Sequence, residues 1–178
     1  STAAITIDLS KIDEQSIGAN LKITLSAGNV FERVKGGSGA DNITGNELDN
    51  VITGGGGSDA LVGGLGDDTY VLGNSWGVDT ITEAAGSKSG EGVDTIAFTA
   101  VTTNVTVTQL ADGSFTLVSG RPSVAFSHVE NLAGGRGSNS LDFSAATKGV
   151  VVNLAGGFST DFTSLSGIRN VTGTAFAD

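Results

Sequence analysis

Gly36-Gly-Ser-Gly-Ala-Asp-Asn-Ile-Thr44, Gly45-Asn-Glu-Leu-Asp-Asn-Val-Ile-Thr53, Gly54-Gly-Gly-Gly-Ser-Asp-Ala-Leu-Val62 and Gly63-Gly-Leu-Gly-Asp-Asp-Thr-Tyr-Val71 follow one another without a gap. They are nonapeptides, and each position keeps its role. Gly or another turn former fills most of the first four places. The sixth place holds Asp41, Asn50, Asp59 or Asp68, and the eighth holds Ile43, Ile52, Leu61 or Tyr70. A short period kept this strictly is the mark of a solenoid. A flexible Gly-rich linker would not need the in-frame apolar side chain at place eight.

The chemistry of one unit explains the pattern. Glycine reaches positive φ without a steric penalty, so a Gly-run turns the chain tightly and can aim its carbonyls inward. The residues after it form a short strand around one apolar side chain. Place eight points to the core while seven and nine point out, as strand alternation requires. Each unit is half a coil, and two units close a flattened coil with a turn on either side.

Alternate turns then stack. The turn of Asp41 lies on that of Asp59, and the turn of Asn50, with Asp49 beside it, lies on that of Asp68. Stacked carboxylates repel unless a cation lies between them. Carboxylates and carbonyls together suit Ca²⁺ with six to eight oxygen ligands better than Mg²⁺, which demands an octahedron and keeps its waters. With no Cys, and His128 far from the repeats, zinc or copper has almost no ligands. The pattern continues in decayed form. Asn74-Ser-Trp-Gly-Val-Asp-Thr-Ile-Thr82 and Ser89-Gly-Glu-Gly-Val-Asp-Thr-Ile-Ala97 keep Gly, Asp and Ile in place as Gly77, Asp79 and Ile81, then Gly92, Asp94 and Ile96. The expected same-side stacks are Asp41–Asp59–Asp79 and Asn50–Asp68–Asp94. The second is open to disruption, because the insertion ahead of Ser89 could swing Asp94 out of register. Glu83 is a further candidate ligand.

Residues 36–71 resemble the RTX (repeats-in-toxin) nonapeptide family of calcium-binding proteins. The resemblance covers about a fifth of the chain strongly. It implies an all-β parallel β-roll, or β-solenoid, with several Ca²⁺ ions in its turns. The expected ligands are Asp41, Asn50, Asp59, Asp68, Asp79 and Asp94, with Asp49 and the turn glycines Gly37, Gly39, Gly55, Gly57, Gly64 and Gly66. The second unit departs from the family pattern, with Leu48 at place four and Asn50 at six, so its half-site is expected to be the weakest. Proteins of this family are typically exported through a one-step channel using a C-terminal signal, and no such tail is evident here.

Charge agrees with this reading. The chain of 178 residues has a net charge of −10. From Gly36 to Ser87 there is no Lys or Arg, but there are Asp41, Glu47, Asp49, Asp59, Asp67, Asp68, Asp79 and Glu83. Without a metal this segment repels itself, and its glycines add ordering entropy. Folding is therefore expected to depend on calcium, metal-binding free energy serving as folding free energy. Sites of this kind belong to the weak extracellular class: filled outside cells, empty in the cytosol. An acidic chain with scattered basic residues is a poor nucleic-acid ligand. No segment suits a membrane span, and Ser1–Ile5 does not look like a signal peptide.

The expected division is a β lead-in or cap at 1–35, the repeat roll with degenerate last turns at 36–100, a β-hairpin region at 101–132 and a second, degenerate, truncated unit at 133–178. Asp112-Gly113 between alternating segments marks the hairpin, with strands near Val105–Leu110 and Phe115–Val118, read as a cap or insertion beside the roll. Phe31–Asp41, Val129–Asn139 and Ile168–Asp178 resemble one another, and the last stops where a new block would begin. A piece of a much longer protein is expected. The Gly134–Asn139 turn, with Arg136 and Asn139, is not expected to bind calcium, and Asp142, Asp161 and Asp178 read as solvated turn acids.

One His and no Cys leave few nucleophile–base pairs, so no enzyme is expected. The leading reading is a calcium-stabilised structural module of a large secreted or surface protein of a bacterium, such as an adhesin, an S-layer-like protein or a toxin. The alternatives are a non-catalytic folding and secretion module of an exported enzyme, or a carbohydrate- or surface-binding module using the Thr-rich hairpin face. Glycans or a cell surface are then candidate partners, and end-to-end self-association follows from open solenoid edges.

Overall fold

The computed structural model describes residues 3–18, 21–26, 30–83 and 92–177. Ser89 to Glu91 of the sixth unit and Asp178 lie outside these. The described residues contain strands and turns and no helix. In chain order the strands are β1 (Thr6–Asp8), β2 (Gln15–Gly18), β3 (Leu21–Ile23), β4 (Arg33–Lys35), β5 (Asn42–Thr44), β6 (Val51–Thr53), β7 (Ala60–Val62), β8 (Thr69–Val71), β9 (Val78–Thr82) and β10 (Thr95–Phe98). They continue as β11 (Thr106–Gln109), β12 (Phe115–Val118), β13 (Ser123–Phe126), β14 (Asn131–Gly134), β15 (Asn139–Asp142), β16 (Val152–Asn153), β17 (Phe158–Ser159), β18 (Ser164–Ser166) and β19 (Ile168–Thr172).

The strands of the nonapeptides alternate between two sheets. One runs β1-β5-β7-β9-β13-β12-β11-β15-β19, the other β18-β14-β10-β8-β6-β4. Within the repeats all pairing is parallel: Ile43 opposes Leu61, and Ile52 opposes Tyr70. This is a parallel β-roll. Place eight of every unit is buried, from Ile43, Ile52 and Tyr70 at 0% exposure to Leu61 at 1%. These side chains meet between the sheets and join one core with Trp76, Ile81, Ile96, Phe98, Leu132, Phe143 and Phe162.

The insertions do not break the sheets. Ala60 pairs with Thr80 and Thr69 with Thr95, both beyond the two-unit spacing of the repeats, yet both sheets continue. Asp94 therefore stays in register.

The hairpin lies within the sheet. β11 and β12 pair antiparallel through the Asp112-Gly113 turn, with Gly113 at φ +89°, and β12 pairs antiparallel with β13. β13 pairs parallel with β9, and β11 pairs parallel with β15, so the three strands bridge the upstream and downstream coils. Val107, Leu117 and Val124 face the common core. Downstream, β14 and β18 extend one sheet and β15 and β19 the other, so residues up to Thr172 continue the same solenoid. The Ile168 segment lies in the sheet opposite that of its look-alikes at Phe31 and Val129, because β18 already holds the other place.

Candidate metal centres

The turns on each edge of the roll bring the place-six side chains into two ladders. On one edge, the backbone N–H of Ile5 donates to Asp41 Oδ1 at 2.9 Å, that of Asp41 to Asp59 Oδ1 at 2.8 Å, and that of Asp59 to Asp79 Oδ1 at 3.0 Å. On the other, Asn50 N–H donates to Asp68 Oδ1 at 2.7 Å, Asp68 N–H to Asp94 Oδ1 at 2.9 Å, and Asp94 N–H to Glu130 Oε2 at 2.9 Å. Each carboxylate thus clips its coil to the preceding one with one oxygen. All six place-six residues, Asp41, Asn50, Asp59, Asp68, Asp79 and Asp94, are buried.

The second oxygen is the informative one. Asp59 Oδ2 and Asp68 Oδ2 are buried and accept no hydrogen bond from the described residues. A buried carboxylate oxygen without a partner is costly, and such groups ordinarily answer to a donor or a metal. Burial pushes Asp68, Asp79 and Asp94 up to about 7, and it also raises Asp59 and Glu83. Neighbouring acids add to this, and the backbone N–H groups only partly offset it.

The space these oxygens face is built from oxygen. A Cβ added to Gly36 would collide with Asp41 Oδ2 and the Gly54 carbonyl; on Gly54 it would collide with Asp59 Oδ2, and on Gly63 with Asp68 Oδ2 and Glu83 Oε1. Place one must therefore be glycine, because carboxylate and carbonyl oxygens converge there. Such a donor set fits a hard cation, and Ca²⁺ accepts its irregular shape.

The turn glycines named from the sequence divide into two kinds. Gly55, Gly57, Gly64 and Gly66 have positive φ, as do Gly77 and Gly92, and backbone of the preceding coil packs where a Cβ would lie. Gly37 and Gly39 are not in that region of φ. The carbonyls of Gly37 and Gly57 each accept a backbone N–H from the next coil, leaving one lone pair. Asp49 is exposed and outside the buried ladder, where its Oδ1 accepts the Asp67 N–H at 2.8 Å.

Two amides show what the ladder requires. Asn50 Nδ2 donates to Phe31 O and Asn46 Oδ1, so the second unit satisfies itself without charge. Asn139 accepts the Val105 N–H and donates to the carbonyls of Gly135 and Gly167 at 3.2 and 2.9 Å. An amide N–H here occupies the role a cation would take between a carboxylate and carbonyls. Glu130 is missing from the ligands expected from the sequence, since it belongs to no nonapeptide; its signal is its place in the Val129–Asn139 look-alike, just before the strand-like Asn131–Gly134. Asp161 also differs from expectation: its Oδ2 is buried and unpartnered rather than solvated.

The family model of the RTX calcium-binding nonapeptide repeat matches residues 35–70, in four copies. These residues are RTX repeats. No curated protein and no solved structure matches the chain. The RTX segment is a calcium-binding structural module, and its ladders run past the matched residues, to Asp79 on one edge and to Asp94 and Glu130 on the other.

Proposed function

We propose that this chain is a calcium-folded structural module of a large protein working outside the cell, of the adhesin, S-layer-like or toxin kind, and that it has no catalytic role of its own. RTX repeats typically belong to secreted bacterial proteins. The observation that carries the reading is the pair of buried ladders whose free carboxylate oxygens, Asp59 Oδ2 and Asp68 Oδ2, face oxygen-lined turns. Asp41, Asp59 and Asp79 would hold calcium on one edge, and Asp68 and Asp94 on the other, with carbonyls such as those of Gly54 and Gly63. The ion supplies positive charge where the chain has none, and the ladders convert that charge into alignment of successive coils. In a cell's interior, where Ca²⁺ is scarce, the acidic turns stay apart. Outside, the ion closes them.

Far-UV circular dichroism with a thermal melt tests this, in EGTA, then in roughly 5–10 mM Ca²⁺ for a weak extracellular site, with Mg²⁺ as control. A gain of β signal and a large rise in melting temperature with Ca²⁺ alone is the expected result. A protein already folded in EGTA and indifferent to calcium would refute it.

A further inference from the structure

Glu83 stands where the repeat has a glycine. It follows β9 as Gly63 follows β7 and Gly45 follows β5, and the register of the sheet, Val62 opposite Thr82, sets Glu83 beside Gly63. One level below, the space over Gly45 is closed by the Gly63 carbonyl and Asn50 Oδ1, both neutral. Over Gly63 it is closed by Glu83 Oε1 and Asp68 Oδ2. A carboxylate has replaced a carbonyl, and an aspartate has replaced an amide.

Asp94 completes the group. Ligand oxygens of Asp68, Glu83 and Asp94 lie within 4.8 Å of one another, and all three residues are buried. Asp68, at 1% exposure, directs an unpartnered oxygen into this space. Glu83 is held in place by the Gly63 N–H at 3.2 Å and by the Tyr70 hydroxyl, which donates to its Oε1. Among the described residues no cationic side chain pairs with any of these three acids.

We infer that Asp68, Glu83 and Asp94 form a three-carboxylate divalent-cation site, the tightest in the molecule, which locks the RTX coils to the coils downstream. The inference rests on the calcium reading above and adds a ligand from outside the repeats. Affinity of oxygen sites for calcium rises with ligand charge and rigidity, and among the described residues three acid side chains converge this closely here alone. The lock follows from its neighbours. Asp94 opens the strand of the sixth, degenerate unit, and its N–H is held by Glu130 of the next coil. A cation here joins the fourth RTX unit, the end of β9 and the start of β10.

The chain has one tyrosine and one tryptophan, Tyr70 and Trp76. A Tb³⁺ ion in this site would sit beside the Tyr70–Glu83 hydrogen bond and draw tyrosine-sensitised emission. The experiment titrates the whole chain with Tb³⁺ and, by calorimetry, with Ca²⁺. Wild type should show sensitised emission in the first binding phase. Glu83→Gln should weaken that phase by roughly ten- to a hundredfold, the scale seen when a metal site loses a supporting group, while Asp13→Asn, at an exposed acid outside both ladders, leaves it in place. Tyr70→Phe should remove the emission while calorimetric binding persists, which keeps the test decisive if Glu83→Gln does not fold. Emission unchanged in Tyr70→Phe, an unaltered first phase in Glu83→Gln, or equal weakening by Glu83→Gln and Asp13→Asn would overturn the inference. If wild type binds Ca²⁺ and Glu83→Gln binds it just as tightly, the repeat sites stand and this one falls; if wild type binds none, the calcium reading itself falls.

Discussion

At the scale of single residues, Asp and Asn in the same ladder do opposite things with similar shape. Asn139 bridges coils with its own N–H groups, whereas Asp59 has an oxygen left over. Exchanging them should exchange calcium dependence. Asp59→Asn removes an unpartnered buried oxygen, so in EGTA it should be more stable than wild type by about 1–3 kcal/mol, the cost of such a group. In Ca²⁺ it should gain less than wild type. Asn139→Asp should be destabilised in EGTA by a similar amount, since its new oxygens face the Gly135 and Gly167 carbonyls, and calcium should recover part of the loss. Urea titrations of each variant with and without Ca²⁺ read both effects. Glycines offer a second pair. Gly55 has φ +113° with the Gly37 carbonyl packed against it, so Gly55→Ala should cost more than the ~1–2 kcal/mol of a left-handed alanine. Gly73 has nothing within 4 Å, and Gly73→Ala should stay within about 0.5 kcal/mol of wild type. The ladder residues at place six are legible in the sequence because period and acid coincide. Glu83 is legible only as a nearby acid, and the Gly54 and Gly63 carbonyls not at all, since which carbonyl turns inward depends on the stacking of two coils.

At the scale of elements, the hairpin is the instructive case. Alternation and the Asp-Gly turn place its strands well, with β12 at the expected Phe115–Val118. They do not say where the hairpin docks. A two-stranded ribbon has two free edges, and sequence periodicity carries no label for a distant partner. Here the partners are β9 and β15, by way of β13 and β11. Leu117 lies fully buried, opposite Val107 and Val124. If β12 is part of the common core, Leu117→Ala should cost about 2–5 kcal/mol and lower the melting temperature of the whole chain in one transition, in saturating Ca²⁺. Two separated transitions, with the RTX part unaffected, would show that the hairpin folds apart from the roll.

For the whole molecule, pH and metal act against each other. In the metal-free fold Asp68, Asp79 and Asp94 titrate near 7, against an unfolded value of 3.8, chiefly through burial. The folded state therefore holds protons that the unfolded chain has released between these limits. Stability from these groups is full below pH 3.8 and is lost as pH rises through about 7. In EGTA the melting temperature should accordingly fall between pH 5 and pH 8. Calcium takes the deprotonated carboxylates, so with Ca²⁺ the trend should reverse and binding should release protons. Melts across that range, with and without metal, check both signs. The extent of the roll is only half legible in the sequence. A fixed nonapeptide is easy to see while strands pair two units apart, as Asn42 does with Ala60. It fades where that interval doubles, as between Thr95 and Asn131, although the strands still lie side by side.

The uneven intervals have a further meaning. From Thr69 to Thr95 the chain takes a longer path to climb one level than its neighbour takes from Val51 to Thr69. The ladder atoms at Asp68 and Asp94 still meet. The protein thus measures height in hydrogen-bonded rungs and is indifferent to the length of chain between them. Two mutational regimes follow in one molecule. At a rung a single atom decides the outcome, whereas the interval between Asp68 and Asp94 carries extra residues and the rung still closes. A foreign peptide grafted between rungs would be displayed on a frame that assembles on the arrival of an ion.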